Sequence, residues 1–145
     1  MKTFSTIIAS FLFAQCAFAA NDIVLTAATS KGGSATSIDL VSDGTAAMMQ
    51  FRINVGAVAD SQVDLSACVA SLPKSHRGEC SISKGVVVGL IYNDEGVALP
   101  AGVITIGKIN VRAAGAALKV VEFLAADKNN SPVQGAIRGD AAATK

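Results

Sequence analysis

Apolar and polar residues alternate along most of this chain with the period of a β-strand. Over residues 47–55, Ala47, Met49, Phe51, Ile53 and Val55 share one parity, and Met48, Gln50, Arg52 and Asn54 share the other. That pattern predicts a strand buried on one side with a polar outer face. Residues 22–29 and 34–41 read as two further strands. The Lys31-Gly32-Gly33 turn leads into the second, and Ser42-Asp43-Gly44 leads out of it. Val86–Tyr92 is apolar on both faces, the pattern of a central strand of a sandwich. Residues 93–96 and 99–102 break the chain before the next strand, over 103–112. There the alternation changes phase: Ile104 and Ile106 lie on one parity, Ile109 and Val111 on the other, with Gly107 at the slip. A β-bulge at Gly107 would restore both pairs to one face. Residues 118–125 and 133–138 complete the set, and the mixed spacing of residues 64–71 reads as a short helix. The sum is an all-β chain of about eight or nine short strands, best buried as two packed antiparallel sheets.

The N-terminus changes the picture of where this happens. Lys2 supplies a positive n-region, residues 7–13 an apolar core, and Ala17-Phe18-Ala19 a small-x-small cleavage site. The expected organisation is a signal peptide over 1–19, one domain over 20–140, and a disordered tail over 141–145. The leading apolar stretch is too short for a membrane anchor, and no other is long enough to span. Cys16 offers lipidation as an alternative, but Gln15 stands where a small residue is expected. Loss of Lys2 takes the formal charge from +1 to 0. A neutral chain without basic clusters argues against nucleic acid and anionic membrane as partners. The expected location is periplasmic or extracellular. Cys68 and Cys80 survive processing and should pair in an oxidising compartment. They would close a loop of about 13 residues and contribute about 3 kcal/mol.

Catalytic chemistry is poorly supplied. His76 is the single histidine; between Lys74 and Arg77 it reads as an exposed loop residue and not as a general base. No GxSxG motif or metal-ligand spacing occurs. Lys31-Gly32-Gly33-Ser34 lacks the spacing of a phosphate loop and opens a strand, so it reads as a turn. Asp94 with Glu95, and the loop of Asp127, Asn129, Asn130 and Ser131, are oxygen-rich but lack the spaced acidic ladder of a calcium loop. Both read as solvated turns. The sequence therefore assigns no catalytic residue, no metal ligand and no cofactor, and points away from an enzyme. Sugar platforms need exposed rings. This chain has no Trp and one Tyr, Tyr92; after residue 19 its only Phe residues are Phe51, on the buried parity, and Phe123.

Three segments carry a family resemblance. SATSIDLV is followed by the longer AAMMQFRINV; the apolar strand over 85–92 comes next; the LPAG turn then leads into VITIGKINVRA. In these the chain resembles the cohesin-like β-sandwich modules, which are related in shape to some carbohydrate-binding modules. The resemblance implies a jelly-roll sandwich that recognises a protein partner through one sheet face, built by the strands over 47–55, 86–92 and 103–112. On the first of these, Gln50, Arg52 and Asn54 point away from the core and are the candidate partner contacts. In well-studied cohesins the partner is a calcium-binding dockerin. The Cys68–Cys80 loop lies outside the family pattern, and no scaffold repeats or anchoring modules surround the domain. The architecture is therefore carried over, and a dockerin-like partner stays one candidate. A glycan, or strand addition into an extracellular assembly, are the alternatives.

Overall fold

A computed structural model describes residues 21–138. The expected signal peptide, Cys16 and the C-terminal tail lie outside these residues. The strands are β1 (Asp22–Ser30), β2 (Gly33–Ser42), β3 (Met48–Asn54), β4 (Val63–Asp64), β5 (Arg77–Ser83), β6 (Val86–Tyr92), β7 (Gly102–Val111), β8 (Lys119–Ala126), β9 (Pro132–Val133) and β10 (Ala136–Arg138), with one 3-10 turn at Asp60–Gln62. They form two five-stranded sheets. Sheet I has the order β10-β1-β2-β7-β4 and sheet II the order β5-β6-β3-β8-β9. Pairing is antiparallel except between β1 and β10. No helix among the described residues is long and apolar enough to cross a membrane.

Alternation decides what lies between the sheets. Ile23, Leu25, Ile38, Leu40, Ile106 and Ile109 enter from sheet I; Met49, Phe51, Ile53, Val87, Ile91 and Val120 enter from sheet II. The far end of the Phe51 ring lies under Gly89 of β6, where a Cβ would come within 2.0 Å of its Cζ. The sandwich can hold this large ring only because its neighbour has no side chain.

The expected bulge is present. Ile38 pairs with Gly107 and Asp39 with Thr105, so Ile106 is the extra residue, and Ile106, Ile109 and Val111 all face inward. A second bulge was not anticipated. Arg52 pairs with Glu122 and Ile53 with Val120, leaving Val121 extra. The same parity slip is visible there, Leu118 and Val120 against Phe123 and Ala125, but no glycine marks it.

Three expectations are corrected. Residues 64–71 form no helix: Asp64 ends β4, and a run of turns follows. These turns cap the free edge of β7, with Lys108 N donating to Ala67 O (2.9 Å) and Ser71 N to Ile106 O (3.0 Å). A helix would bond its own carbonyls and leave that edge bare. The approach is close enough that a Cβ on Gly107 would lie 2.3 Å from both Ala67 O and Cys68 O. Second, the disulfide loop ends within an unforeseen strand, β5, at the edge of sheet II. Third, residues 133–138 are not one strand. The chain crosses from sheet II to sheet I at Gln134-Gly135, giving β9 and β10.

The two sheets are thus tied together on both sides of the sandwich. At one, Cys68 beside β7 is bonded to Cys80 on β5 (Cα–Cα 6.3 Å), joining sheet I to sheet II. At the other, the β9–β10 crossover joins them through the main chain.

Candidate functional site

The outer faces of the two sheets differ in chemistry. On sheet I, β2 and β7 present mostly small and polar groups over their middle, with Val103 exposed at the start of β7. Asp39 collects hydrogen bonds from Ser37 Oγ (3.1 Å) and Thr105 Oγ1 (2.7 Å), so it is held within the face. On sheet II, Gln50 sits in register between Leu90 of β6 and Leu124 of β8, and Glu79 of β5 lies across from Leu90. Leu90 and Leu124 are 38% and 55% exposed. With Met48, Tyr92 and Pro132 they line an open concavity of about 480 Å³. One step along the strands the face turns polar: Arg52 lies between Val88 and Glu122, and Asn54 between Val86 and Lys119.

The three residues singled out from the sequence stand on this one face but in different states. Gln50, half-buried, lies within the apolar stripe. Arg52 is ion-paired with Glu122 (Nε–Oε2 3.2 Å); both are exposed enough that the pair is worth at most about 1 kcal/mol and can reorganise. Asn54 Oδ1 accepts the Gly56 N–H at 2.7 Å and is committed to the turn after β3. The resemblance placed β3, β6 and β7 on one face; β3 and β6 are neighbours in sheet II, but β7 belongs to sheet I. Its place in the face is taken by β8, which contributes Leu124 and Glu122. The apolar outer residues escaped sequence reasoning for a physical reason. An apolar run on both parities signals burial on both sides, yet no described element covers Leu90 or Leu124.

His76 is corrected as well. It is 6% exposed, not an open loop residue. Its Nδ1 contacts Ser75 Oγ at 3.0 Å, and its Nε2 is buried. Desolvation pushes its pKa below the ordinary histidine value, partly opposed by the Val97 backbone. A buried, neutral imidazole in this position is a packing residue. The two oxygen-rich loops fold on themselves. Asp127 Oδ1 accepts from Asn129 N (2.8 Å) and Ser131 N (2.9 Å), and Asn93 Oδ1 accepts from Glu95 N (2.8 Å) and Val97 N (2.9 Å). Among the described residues no three His, Cys, Asp or Glu side chains converge on a metal position.

No protein-family model matches the chain, and no curated protein matches it in sequence. Solved structures do match in shape. A non-cellulosomal cohesin from the archaeon Archaeoglobus fulgidus superposes with TM-score 0.59 at 12% identity, over 82% of this chain and 86% of that one. A type II cohesin domain from the cellulosome of Acetivibrio cellulolyticus gives 0.56 at 13%, over 84% and 92%. A type I cohesin–dockerin complex from Clostridium thermocellum gives 0.50 at 9%, over 83% and 90%. The fold is a cohesin-like jelly-roll β-sandwich.

Proposed function

We propose that this chain is an exported, non-catalytic binding module that recognises a protein partner through the outer face of sheet II. The observation that carries this is the row Leu90–Gln50–Leu124: two large apolar side chains left in water on either side of an amide, beside an open concavity. Exposed apolar stripes rimmed by polar residues are costly for a free monomer and are kept where a partner covers them. Arg52, Glu122 and Glu79 supply a charged rim that would set orientation more than affinity. A structural relative solved as a cohesin–dockerin complex supports a protein as the partner. The Cys68–Cys80 disulfide supports an oxidising location. Glycan recognition has less support, because Tyr92 is the single ring at the concavity and it is half-buried.

The test is capture from exported proteins of the same organism on the immobilised oxidised chain, in calcium-containing buffer, followed by affinity measurement. Leu124→Asp should weaken the captured partner about 30-fold or more, as loss of an interface anchor does. Gln50→Ala with Arg52→Ala should weaken it less, with melting temperatures unchanged in both variants. Affinity indifferent to all three substitutions removes this face from the reading. Failure to capture a protein shifts weight to strand addition at β5, a seven-residue edge strand.

A further inference from the structure

The outer face of sheet II holds a second concavity beside the apolar one, and the two share Gln50 and Leu90. The second has a volume of about 310 Å³ and is lined by Gln50, Glu79, Cys80, Ser81, Val88 and Leu90. Glu79 stands exposed on β5, the edge strand of the sheet. In register, Leu90 separates Glu79 from Gln50, and Val88 separates Ser81 from Arg52. Neighbouring strands lie about 4.8 Å apart, so Glu79 and Gln50 stand about 10 Å from each other with apolar surface between them. Two carboxylates stand on the strands of this face, and only one is matched. Glu122 has Arg52 at 3.2 Å. Glu79 forms no ion pair among the described residues, although two arginines are near it in the register. Arg52 is turned to Glu122, and Arg77, two residues along β5, is turned to Asp94 (3.7 Å).

We propose, resting on the reading that this face binds a protein, that the second concavity is a socket for a lysine or arginine side chain of the partner. Its walls match the two halves of such a side chain. The aliphatic stem lies on Leu90 and Val88, as long cationic side chains lie on apolar surface elsewhere. The head group meets the Glu79 carboxylate, and the Ser81 hydroxyl and the Gln50 amide oxygen are acceptors for its remaining N–H groups. One carboxylate beside apolar carbon suits an organic cation and not calcium, which takes six to eight oxygens. The apolar concavity lies on the other side of Gln50 and takes an apolar side chain. The partner therefore presents a basic and an apolar group about two strand spacings, or about 10 Å, apart. Glu79 is exposed, so its role is to select and orient a basic partner and to repel an acidic one more than to supply affinity.

The test is selection of a random peptide display library on the immobilised oxidised chain, sequenced against the input library, with Glu79→Gln, Glu79→Lys and Leu124→Asp chains run in parallel. Wild-type chain should enrich peptides that combine Lys or Arg with large apolar residues. Glu79→Gln should lose the basic preference, and Glu79→Lys should replace it with a preference for Asp and Glu. A selected peptide, synthesised, should bind Glu79→Gln about fivefold more weakly than wild type, mostly through slower association, and high salt should remove the difference. Replacing its basic residue by norleucine should cost as much on wild type and nothing further on Glu79→Gln. A wild-type selection without excess Lys or Arg, or an excess that Glu79→Gln leaves in place, overturns the socket. Where that happens and Leu124→Asp still abolishes the selection, the face remains the binding surface and only the socket is lost. A selection unchanged by Leu124→Asp removes the face and the socket together.

Discussion

The two sides of the sandwich solve the same problem by different means. Each must cover a sheet edge and keep the two sheets from parting. On the first side a covalent bond does so: Cys68, in the turns that cap β7, is joined to Cys80 on β5. Around it the packing is apolar and close. Cys68 is fully buried, and Gly107 lies against the carbonyls of Ala67 and Cys68. On the second side the chain crosses between sheets through two short strands, β9 and β10, and the three residues of β10 are all exposed. What holds β10 is backbone pairing to β1, the Ala136 N–H to Asn21 O bond (3.1 Å), and the Arg138–Asp22 ion pair. One side depends on a constraint already present in the unfolded chain, the other on polar contacts formed only on folding. The second is therefore the side on which strand displacement should begin.

That contrast can be broken or sharpened by measurement. The largest effect is expected from Cys68→Ala with Cys80→Ala, which frees a loop of about 13 residues and should lower unfolding free energy by about 3 kcal/mol in urea titrations. A loss below about 1 kcal/mol would mean that the side is held by its packing and not by the covalent bond. Next comes Gly107→Ala. Its methyl would meet two backbone carbonyls that cannot move without undocking the turn, so a loss of about 2 kcal/mol is expected. An unchanged midpoint would show that the turn does not sit on β7. On the other side, Arg138→Ala strands the buried Asp22 carboxylate. Arg138 is itself 53% exposed, so solvent already screens the pair and the loss should be about 1 kcal/mol. Adding Asp22→Asn should recover part of it, because the charge left behind is then gone; a double variant no more stable than Arg138→Ala alone would contradict the pairing.

The smallest effect concerns His76. Its folded pKa is depressed by burial, so the unfolded chain binds more protons. The stability this contributes is fully present above the unfolded value of about 6.5 and is lost as pH falls from there through the folded pKa. Wild-type chain should therefore lose more stability between about pH 7.5 and 5 than His76→Gln does. Parallel pH profiles would place the ring in water.

Sequence legibility follows the same divide. The paired cysteines, the inward set of β3 and the Gly107 bulge were readable because each is local: a parity, a slip in parity, a scarce residue type. The crossover was not, because six residues with one apolar pattern give no sign that Gln134-Gly135 leaves one sheet for the other. Nor was the corner where Asn21 meets Thr45 and the Gln134 carbonyl, 24 and 113 positions away. The candidate face was half legible. Parity alone puts Gln50, Arg52 and Asn54 on the outer side of their strand, whereas Leu90 falls in a run apolar on both parities that reads as interior, and nothing in the local pattern singles out Leu124.

By itself the sequence determined the fold class, the strands with strong alternation and which of their side chains turn inward, because side-chain direction in an extended chain repeats every two residues whatever surrounds it. Only the tertiary structure decided that β8 and not β7 adjoins β3, that turns and not a helix cap the β7 edge, that His76 is enclosed, and that two leucines remain in water. Those outcomes depend on which distant segments become neighbours. A residue's exposure and its partners are set by what packs over it, and a local pattern carries no record of that.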